Sequence, residues 1–144
     1  MISVKNLLEG KPLNVIWSVT PKHMVIDALD LMAQKNIGAL VVMDGEKLIG
    51  IFSERDYARK GILQGRKAKS TPVTEVMTPN VFTVSSDKSL QDCMKLFSEK
   101  RIRHLPVVDD GKVAGVLSIG DIVNAIIREQ SNHIQFLEQY ITGY

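Results

Sequence analysis

Residues 19–57, VTPKHMVIDALDLMAQKNIGALVVMDGEKLIGIFSERDY, decide the fold of this chain, because their pattern returns at residues 84–122. The second segment reads VSSDKSLQDCMKLFSEKRIRHLPVVDDGKVAGVLSIGDI. The two segments align without a gap at an offset of 65 residues, and twelve positions are identical. The chain therefore contains an internal duplication.

Each copy carries the same order of hydrophobic periods. Apolar residues first recur at i, i+3, i+4 and i+7, which predicts an amphipathic helix with one buried stripe. Two short apolar runs follow, separated by DGE or DDG, and these predict a β-hairpin. With WSV and FTV as short leading strands, each copy is expected to be β-α-β-β-α. The helical stripes are Val25, Ala28, Leu29 and Met32 in the first copy and Leu90, Cys93, Met94 and Phe97 in the second.

Composition limits the class of protein. A chain of 144 residues with 44% hydrophobic residues suits one compact unit whose two copies share a core. A net charge of +2 argues against nucleic acid or a membrane surface as partner. No apolar run approaches the ~18 residues of a membrane span. The N-terminal MISVKNLLEGK lacks the apolar stretch of a signal peptide, and a lone cysteine makes no internal disulfide, so a cytoplasmic protein is expected.

The duplication suggests domains at residues 10–65 and 75–130, followed by an amphipathic helix at 131–144. Glycine and proline interrupt the linker between the copies, and its RKAK run at 66–69 is interpreted as a solvated basic loop. Both chain ends carry apolar stripes, which are expected to pack against neighbouring helices or a partner subunit. These stripes are Val4, Leu7 and Leu8 at one end and Ile134, Leu137 and Ile141 at the other.

Each copy ends on Ser-x-x-Asp, at Ser53 and Asp56 and again at Ser118 and Asp121. In a helix cap, the serine accepts a hydrogen bond from a free amide, and the acid accepts one from the amide of the serine. The same groups could bind a ligand, since a carboxylate accepts from both ribose hydroxyls and the positive helix end favours phosphate. The two interpretations are compatible, and the residues alone leave both open.

Taken together, these features resemble a tandem pair of CBS domains, known as a Bateman module. The resemblance covers about residues 10–130 and rests on the repeat, its element order, HLPVVD, and the two glycine-containing Ser-x-x-Asp motifs. It implies an α/β (α+β) fold in which two β-α-β-β-α repeats pack about a pseudo-twofold axis with a cleft on each side. It also implies clefts that bind AMP, ADP, ATP, NAD(H) or S-adenosylmethionine, with AMP and NAD(H) favoured.

The resemblance implies binding roles at matching positions. Asp56 and Asp121 match the ribose-binding aspartate, and Ser53 and Ser118 match the serine or threonine on the phosphate side. Hydroxyl groups expected to line the clefts belong to Ser18, Thr20, Thr83 and Ser85. Strand edges expected to read the adenine through backbone groups are formed by Ile37, Gly38 and Ala39 and by Ile102, Arg103 and His104.

The copies differ in charge at these positions. The second copy has Arg101 and Arg103, which suit phosphate but are equally interpreted as solvated cations at a helix end. In the first copy Arg55 stands where the second has Gly120. We therefore expect the second cleft to hold the more charged part of a ligand, and Asp121 to matter more than Asp56. The sequence does not assign each arginine to a cleft.

Two further residues of the second copy have alternative interpretations. His104 could contribute an imidazole to the cleft, but a histidine in this setting is more often a partly buried, hydrogen-bonded residue. Pro106 has no N–H, so its strand is an edge or is approached by another group, such as a bound adenine.

The sequence offers little support for catalysis. The three histidines lack metal-binding spacing, nucleophile and Walker motifs are absent, and Cys93 lies on a core stripe. We therefore predict a protein without enzymatic activity that senses an adenine nucleotide as a homodimer and signals to an effector protein. The alternative is a constitutive dimeric scaffold with empty clefts. Nucleic-acid binding through the basic linker is disfavoured by the low net charge.

Overall fold

The computed structural model describes residues 2–10 and 16–142, and side chains up to residue 139. It is an α/β fold in which both copies form the expected helix and hairpin. The helices are α1 Val4–Glu9, α2 Val25–Lys35, α3 Glu54–Asp56, α4 Leu90–Lys100 and α5 Ile119–Thr142. The strands are β1 Ser18–Val19, β2 Ala39–Asp44, β3 Lys47–Ser53, β4 Thr78–Pro79, β5 His104–Asp109 and β6 Lys112–Ser118.

The two hairpins have the same register. In the first, β2 pairs antiparallel with β3, and the register shifts between Val42 and Met43. In the second, β5 pairs antiparallel with β6, and the register shifts between Val107 and Val108. Because position 42 corresponds to position 107, the irregularity falls at the same place in both copies. The duplication seen in the sequence is therefore also a duplication of backbone geometry.

The leading strands are not equivalent, and the prediction of a second one at FTV is wrong. In the first copy β1 pairs with β2, with Ser18 opposite Val41, and the Val41 amide donates to the Trp17 carbonyl (3.4 Å). In the second copy only an isolated bridge joins Val84 to Val107. Pro106 occupies the position equivalent to Val41 and has no amide hydrogen to donate, so the ladder cannot extend toward residue 82.

Each copy has its own hydrophobic core, but the segments that precede the copies cross over. Val4, Leu7 and Leu8 of α1 precede the first copy, yet they are buried in the core of the second. Val73 and Val76 precede the second copy, yet they are buried in the core of the first. The two copies therefore depend on each other for a closed core, and the apolar stripe of α1 packs within its own chain.

The helices that follow the two hairpins differ greatly in length. The first, α3, has three residues and continues as a π-helical turn, Tyr57–Gly61, and a 3₁₀ turn, Ile62–Gln64. The second, α5, runs unbroken for 24 residues, so the helix expected at 131–144 is, as far as residue 142, the continuation of the one that begins after Ser118. Residues 143 and 144 of that prediction lie outside the described residues. Ile134 and Leu137 are exposed on α5, whereas the side chain of Ile141 lies outside the described residues.

The linker between the copies joins the first sheet. Its strand β4 pairs antiparallel with β3, with Gly50 opposite Pro79 and Ile51 opposite Thr78. A Cβ atom at Gly50 would overlap the sulfur of Met77, so the close approach of linker and sheet requires glycine there. This contact carries the linker past the end of β3, where α3 begins.

Candidate functional site: a cationic cleft between the copies

Both Ser-x-x-Asp segments form helix caps. The Asp56 amide donates to the Ser53 hydroxyl (3.1 Å), and the Ser53 amide donates to Oδ2 of Asp56 (3.0 Å). The second copy repeats this with 3.1 Å from the Asp121 amide to Ser118 and 2.9 Å from the Ser118 amide to Asp121. The capping interpretation is therefore confirmed at both positions. Each cap engages one carboxylate oxygen, Oδ2.

A cavity of about 1060 Å³ opens at the first of these caps and extends to the second copy. Eight of the residues expected at a binding site line it. From the first copy these are Gly38, Ser53, Arg55 and Asp56, and from the second Arg101, Ile102, Arg103 and His104. The cleft thus joins the helix start of one copy to the strand edge of the other. Its size is that of a small-molecule site.

The lining of the cavity shows in which cleft the arginines lie. It differs from the expectation that Arg101 and Arg103 accompany Asp121 of their own copy. Arg101 and Arg103 share the cavity with Asp56, and Asp121 does not line it. The arginines follow α4, and the packing of the two copies turns the end of α4 toward the opposite helix start. The charged cleft is therefore the one that contains the first Ser-x-x-Asp.

The remaining predicted site residues do not line this cavity. Two of their hydroxyls are held in local turns: that of Thr20 lies 3.1 Å from Nδ1 of His23, and that of Ser85 donates to Asp87. Two others are part of the packed interior, since Ile37 packs on the core of the first copy and Pro106 is buried in β5. The others outside the cavity lining are Ser18, Ala39, Thr83, Ser118, Gly120 and Asp121.

The second carboxylate oxygen of Asp56 faces the linker and the helix turn that follows. Its Oδ1 accepts a hydrogen bond from the Thr78 hydroxyl (3.3 Å) and lies 3.6 Å from Nζ of Lys60. The Lys60 ammonium also lies 3.5 Å from the Thr78 hydroxyl. Asp56 thus connects the helix cap, the linker strand and the π-helical turn.

The backbone at the expected adenine-reading edge is partly engaged by the helix starts. The Glu54 amide donates to the Gly38 carbonyl (3.1 Å), and the Ile119 amide donates to the Arg103 carbonyl (2.9 Å). These equivalent bonds tie each strand edge to the helix start of its own copy. The geometry of the cleft wall is therefore fixed by the fold itself.

The cleft is strongly cationic. Among the described residues, six cationic side chains and two acidic ones line it, which leaves a surplus of four positive charges. The nearby guanidinium groups of Arg103 and then Arg59 lower the pKa of Arg55. The cations are Arg55, Arg59, Lys60, Lys100, Arg101 and Arg103, and the acids are Glu54 and Asp56.

Sequence reasoning missed three of these cations. Arg59 and Lys60 follow Arg55 and Asp56 at i+4, so helical spacing after the first cap could have identified them. Lys100 lies over the ring of Phe82 at 5.3 Å, as its equivalent Lys35 lies over Trp17 at 4.5 Å. The cation–π contact gives this repeated lysine a structural role in both copies.

Arg101 also has an unusual backbone conformation. It caps α4 with φ of 52°, and its equivalent Asn36 caps α2 with φ of 54°. Asparagine tolerates this left-handed region, whereas a long side chain is disfavoured there. Backbone strain of this kind tends to occur at functional sites, and here it lies at the cleft.

Other chemical features of the described residues are few. Within the part of the chain that the structure describes, no group of three or more His, Cys, Asp or Glu side chains could hold a metal ion. No helix among the described residues is both long and apolar enough to span a membrane; α5 has the length but carries charged side chains. Cys93 is buried, and burial raises the pKa of its thiol to about 11.

The structure is thus a pair of α/β repeats around a shared cleft. The sequence pattern of the CBS domain matches this chain twice, at residues 11–61 and 73–128. The chain therefore belongs to the CBS-domain family.

Several relatives resemble the chain over most of its length. A curated relative, the mitochondrial CBS domain-containing protein CBSX3 of Arabidopsis thaliana, is 41% identical over 94% of this chain and 68% of its own. A solved structure of a protein with CBS domains from Burkholderia ambifaria MC40-6 is 48% identical and has a TM-score of 0.86. That similarity covers 90% of this chain and 96% of the other.

Two solved relatives contain adenosine compounds. CBSX2 in complex with AMP is 32% identical, with a TM-score of 0.73 over 89% of this chain and 98% of the other. The CBS domain pair of MJ0100, in complex with 5'-methylthioadenosine and S-adenosyl-L-methionine, is 28% identical. Its TM-score is 0.77 over 87% of this chain and 99% of the other.

Proposed function

We propose that this protein is a regulatory module that binds an adenine nucleotide in the cationic cleft and signals its occupancy to a partner protein. The observation that carries the proposal is the cleft itself, in which a helix-capping aspartate of one copy meets arginines of the other. The adenosine compounds bound by CBSX2 and MJ0100 support the choice of ligand class.

Within this proposal, Asp56 binds the ribose hydroxyls. Its Oδ2 caps the helix, and its Oδ1 is engaged only by Thr78 and Lys60 among the contacts described, so ribose would compete with these two groups. Arg55 and Arg103 bind phosphate, because a guanidinium offers paired donors to phosphate oxygens. The backbone near Gly38 and Ile102 contacts the adenine.

The proposed role is regulatory rather than catalytic. The buried Cys93 stays protonated near neutral pH because its pKa is raised to about 11, so it is a poor nucleophile. The charged groups of the cleft suit binding of an anion, and Asp56 in its lining already caps a helix. A cytoplasmic location stays a prediction.

Nucleotide binding is tested by mass spectrometry of the denatured, purified protein and by calorimetry. We expect adenine nucleotides to bind more tightly than the corresponding guanine nucleotides. Asp56→Ala should weaken adenine nucleotide binding by ~1.5–3 kcal/mol, because a charged hydrogen-bond acceptor is lost. This is the opposite of the order expected from the sequence, which placed more weight on Asp121.

Asp121→Ala is the matched control. It removes an equivalent cap, which costs ~0.5–2 kcal/mol of folding stability, but it does not touch the cationic cleft. Equal weakening by the two substitutions would mean that the loss arises from the caps. If no adenine nucleotide is retained or bound, the protein is better described as a scaffold.

Homodimer formation is a second part of the proposal and would also serve the scaffold alternative. Along α5, Val123, Ile127, Ile134 and Leu137 are 42–55% exposed and recur at helical spacing on one face. The same helix begins at Ile119, which lines the cleft, so one element connects ligand and interface. Light scattering at micromolar concentration should give twice the chain mass, and Ile134→Glu should give the mass of one chain. A monomeric wild type would remove this part of the proposal.

A further inference from the structure

Three guanidinium groups crowd together in the cleft. Arg55 and Arg59 are four residues apart along one helical segment, and Arg103 reaches them from the opposite copy. Like charges at this helical spacing destabilise a helix, and a third positive charge adds to the repulsion. The lowered pKa of Arg55, caused first by Arg103 and then by Arg59, reflects the same crowding. Such a cluster is relieved when a multivalent anion binds it.

The fold does not require this cluster. The positions equivalent to Arg55 and Arg59 are Gly120 and Asn124, and the position equivalent to Arg103 is Gly38. The second copy builds the same capped helix start with Gly120 and Asn124, and the first copy builds the equivalent strand edge with Gly38. The positive charge is therefore specific to this cleft and is not required for folding. Binding of an anionic ligand is the simplest explanation for the charge.

The acids of the cleft leave most of this charge unbalanced. Asp56 already interacts with Lys60 and with the cap, and Glu54 is the only other acid among the described residues of the lining. Arg59 lies about one turn beyond Arg55, on a segment that passes from α3 into the π-helical turn Tyr57–Gly61. A phosphate chain that begins near Arg55 would reach Arg59 only if it has more than one phosphate group.

We propose that the cleft selects adenine nucleotides by the negative charge of their phosphates, with Arg59 as the specificity-determining residue. ATP and ADP would bind more tightly than AMP, which has a single phosphate, and than NAD(H), whose two phosphates are both esterified and therefore carry less charge. The inference rests on the proposed function and refines it. It also replaces the preference for AMP and NAD(H) drawn from the sequence resemblance. Arg55 and Arg103 would contact any phosphate, whereas Arg59 would contact only the outer ones.

Calorimetry on the full chain tests this, with ATP, ADP, AMP and NAD(H) titrated in the presence of a metal chelator. We expect ATP to bind at least about tenfold more tightly than AMP, since charged hydrogen bonds to the outer phosphates are added. Raising the salt concentration should lower the affinity for ATP more than the affinity for AMP. Arg59→Asn introduces the residue found at the equivalent position 124. It should lower the affinity for ATP by about tenfold and the affinity for AMP by less than about threefold. Equal affinities, or an equal loss for both ligands, would overturn the inference.

Controls separate this inference from the proposed function and from misfolding. Without ligand, Arg59→Asn should keep or raise the thermal midpoint, because a repulsive pair is removed. Tight binding of GTP and tripolyphosphate equal to that of ATP would support charge selection while contradicting adenine specificity. Adenine-specific binding with equal affinity for AMP and ATP would support the proposed function and contradict selection by phosphate charge. An absence of binding by all of these anions would overturn both.

Discussion

Ser53 and Ser118 begin their helices with the same hydrogen bonds, yet the segments that follow have little in common. After Ser53 the helix changes to a π-helical turn within one turn and stops near Gly61, where a Cβ atom would lie 2.8 Å from the ring of Tyr57. After Ser118 the helix continues to Thr142. The cap therefore specifies where a helix begins, while the residues beyond it decide what the helix becomes.

This difference separates two properties between the copies. The interrupted segment after Ser53 carries Arg55, Arg59 and Lys60 into the cleft. The continuous α5 carries an exposed apolar face away from it. Under the proposed function, the segment after Ser53 recognises the ligand together with the cations of the second copy, whereas α5 supplies the surface that reports binding. The two copies of a duplicated unit can take on different roles in this way because the segments after their helix starts have different structures.

The largest expected effect concerns whether the copies unfold as one. Leu117 is fully buried in the core of the second copy, and Leu117→Ala should cost ~2–5 kcal/mol of unfolding free energy. Because segments cross between the cores, we expect the first copy to unfold in the same transition. Trp17, the single tryptophan, precedes β1 and reports on the first copy. In a urea titration its fluorescence should shift together with circular dichroism.

Phe52→Ala is the matched change, since Phe52 occupies the equivalent position and is also fully buried. It should cost ~3–5 kcal/mol and shift the same single transition. A Trp17 transition that keeps the wild-type midpoint in Leu117→Ala would show that the copies unfold independently.

A smaller effect is expected at the left-handed cap of α4. Arg101→Asn installs the residue of the equivalent cap at position 36 and should raise unfolding free energy by ~0.5–1 kcal/mol, because asparagine tolerates positive φ better. It should also weaken nucleotide binding, since it removes a cation from the cleft. Urea titration without ligand and calorimetry with ATP measure the two effects. The reverse swap, Asn36→Arg, should lower stability and leave ATP binding unchanged; lower stability in Arg101→Asn would contradict the argument.

The smallest expected effect is a pH dependence of stability that arises from Cys93 on α4, for which α2 has no equivalent ionisable group. Cys93 is equivalent to Ala28, and burial, followed by the charge of Asp92, raises the pKa of its thiol from 9.0 to about 11. The folded state therefore holds this proton more tightly than the unfolded state, and the resulting stability is lost as the pH rises from 9 to 11. Relative to Cys93→Ala, the wild type should lose up to about 1 kcal/mol between pH 8 and pH 10. Parallel urea curves for both proteins at the two pH values would exclude a raised pKa.

Local patterns in the sequence were sufficient for the repeated elements. The periods of α2, α4 and the hairpins, and the two Ser-x-x-Asp caps, depend on residues close together in the chain. The prediction of a second leading strand was wrong because the absence of that strand depends on one missing amide hydrogen, at Pro106, although that proline was recognised as unusual. Periodicity scores the residues that are present and does not test each hydrogen bond of a ladder.

The composition of the cleft was only partly accessible from the sequence. The residues expected at a helix start and a strand edge do line it, but Asp56 and Arg103 belong to different copies. An internal alignment places Arg103 beside Gly38 as an equivalent and says nothing about what it faces. Similarly, the alignment gave no reason to bury Val4 in the more distant of the two cores. Contacts between copies depend on how the copies pack, and that information is not carried by the repeat itself.

The crossing of α1 and of the linker bears on how such a chain could arise. In a single ancestral copy, the segment that precedes the copy would not pack on the core of that copy. It could pack only on the core of a second molecule. Two such molecules would close both cores by exchanging their N-terminal arms, as Val4 and Val73 do within this chain. Gene fusion would then turn an arm-exchanged dimer into one polypeptide and free each half to diverge. A cut between the halves, near residue 65, would leave two fragments that each hold the missing piece of the other.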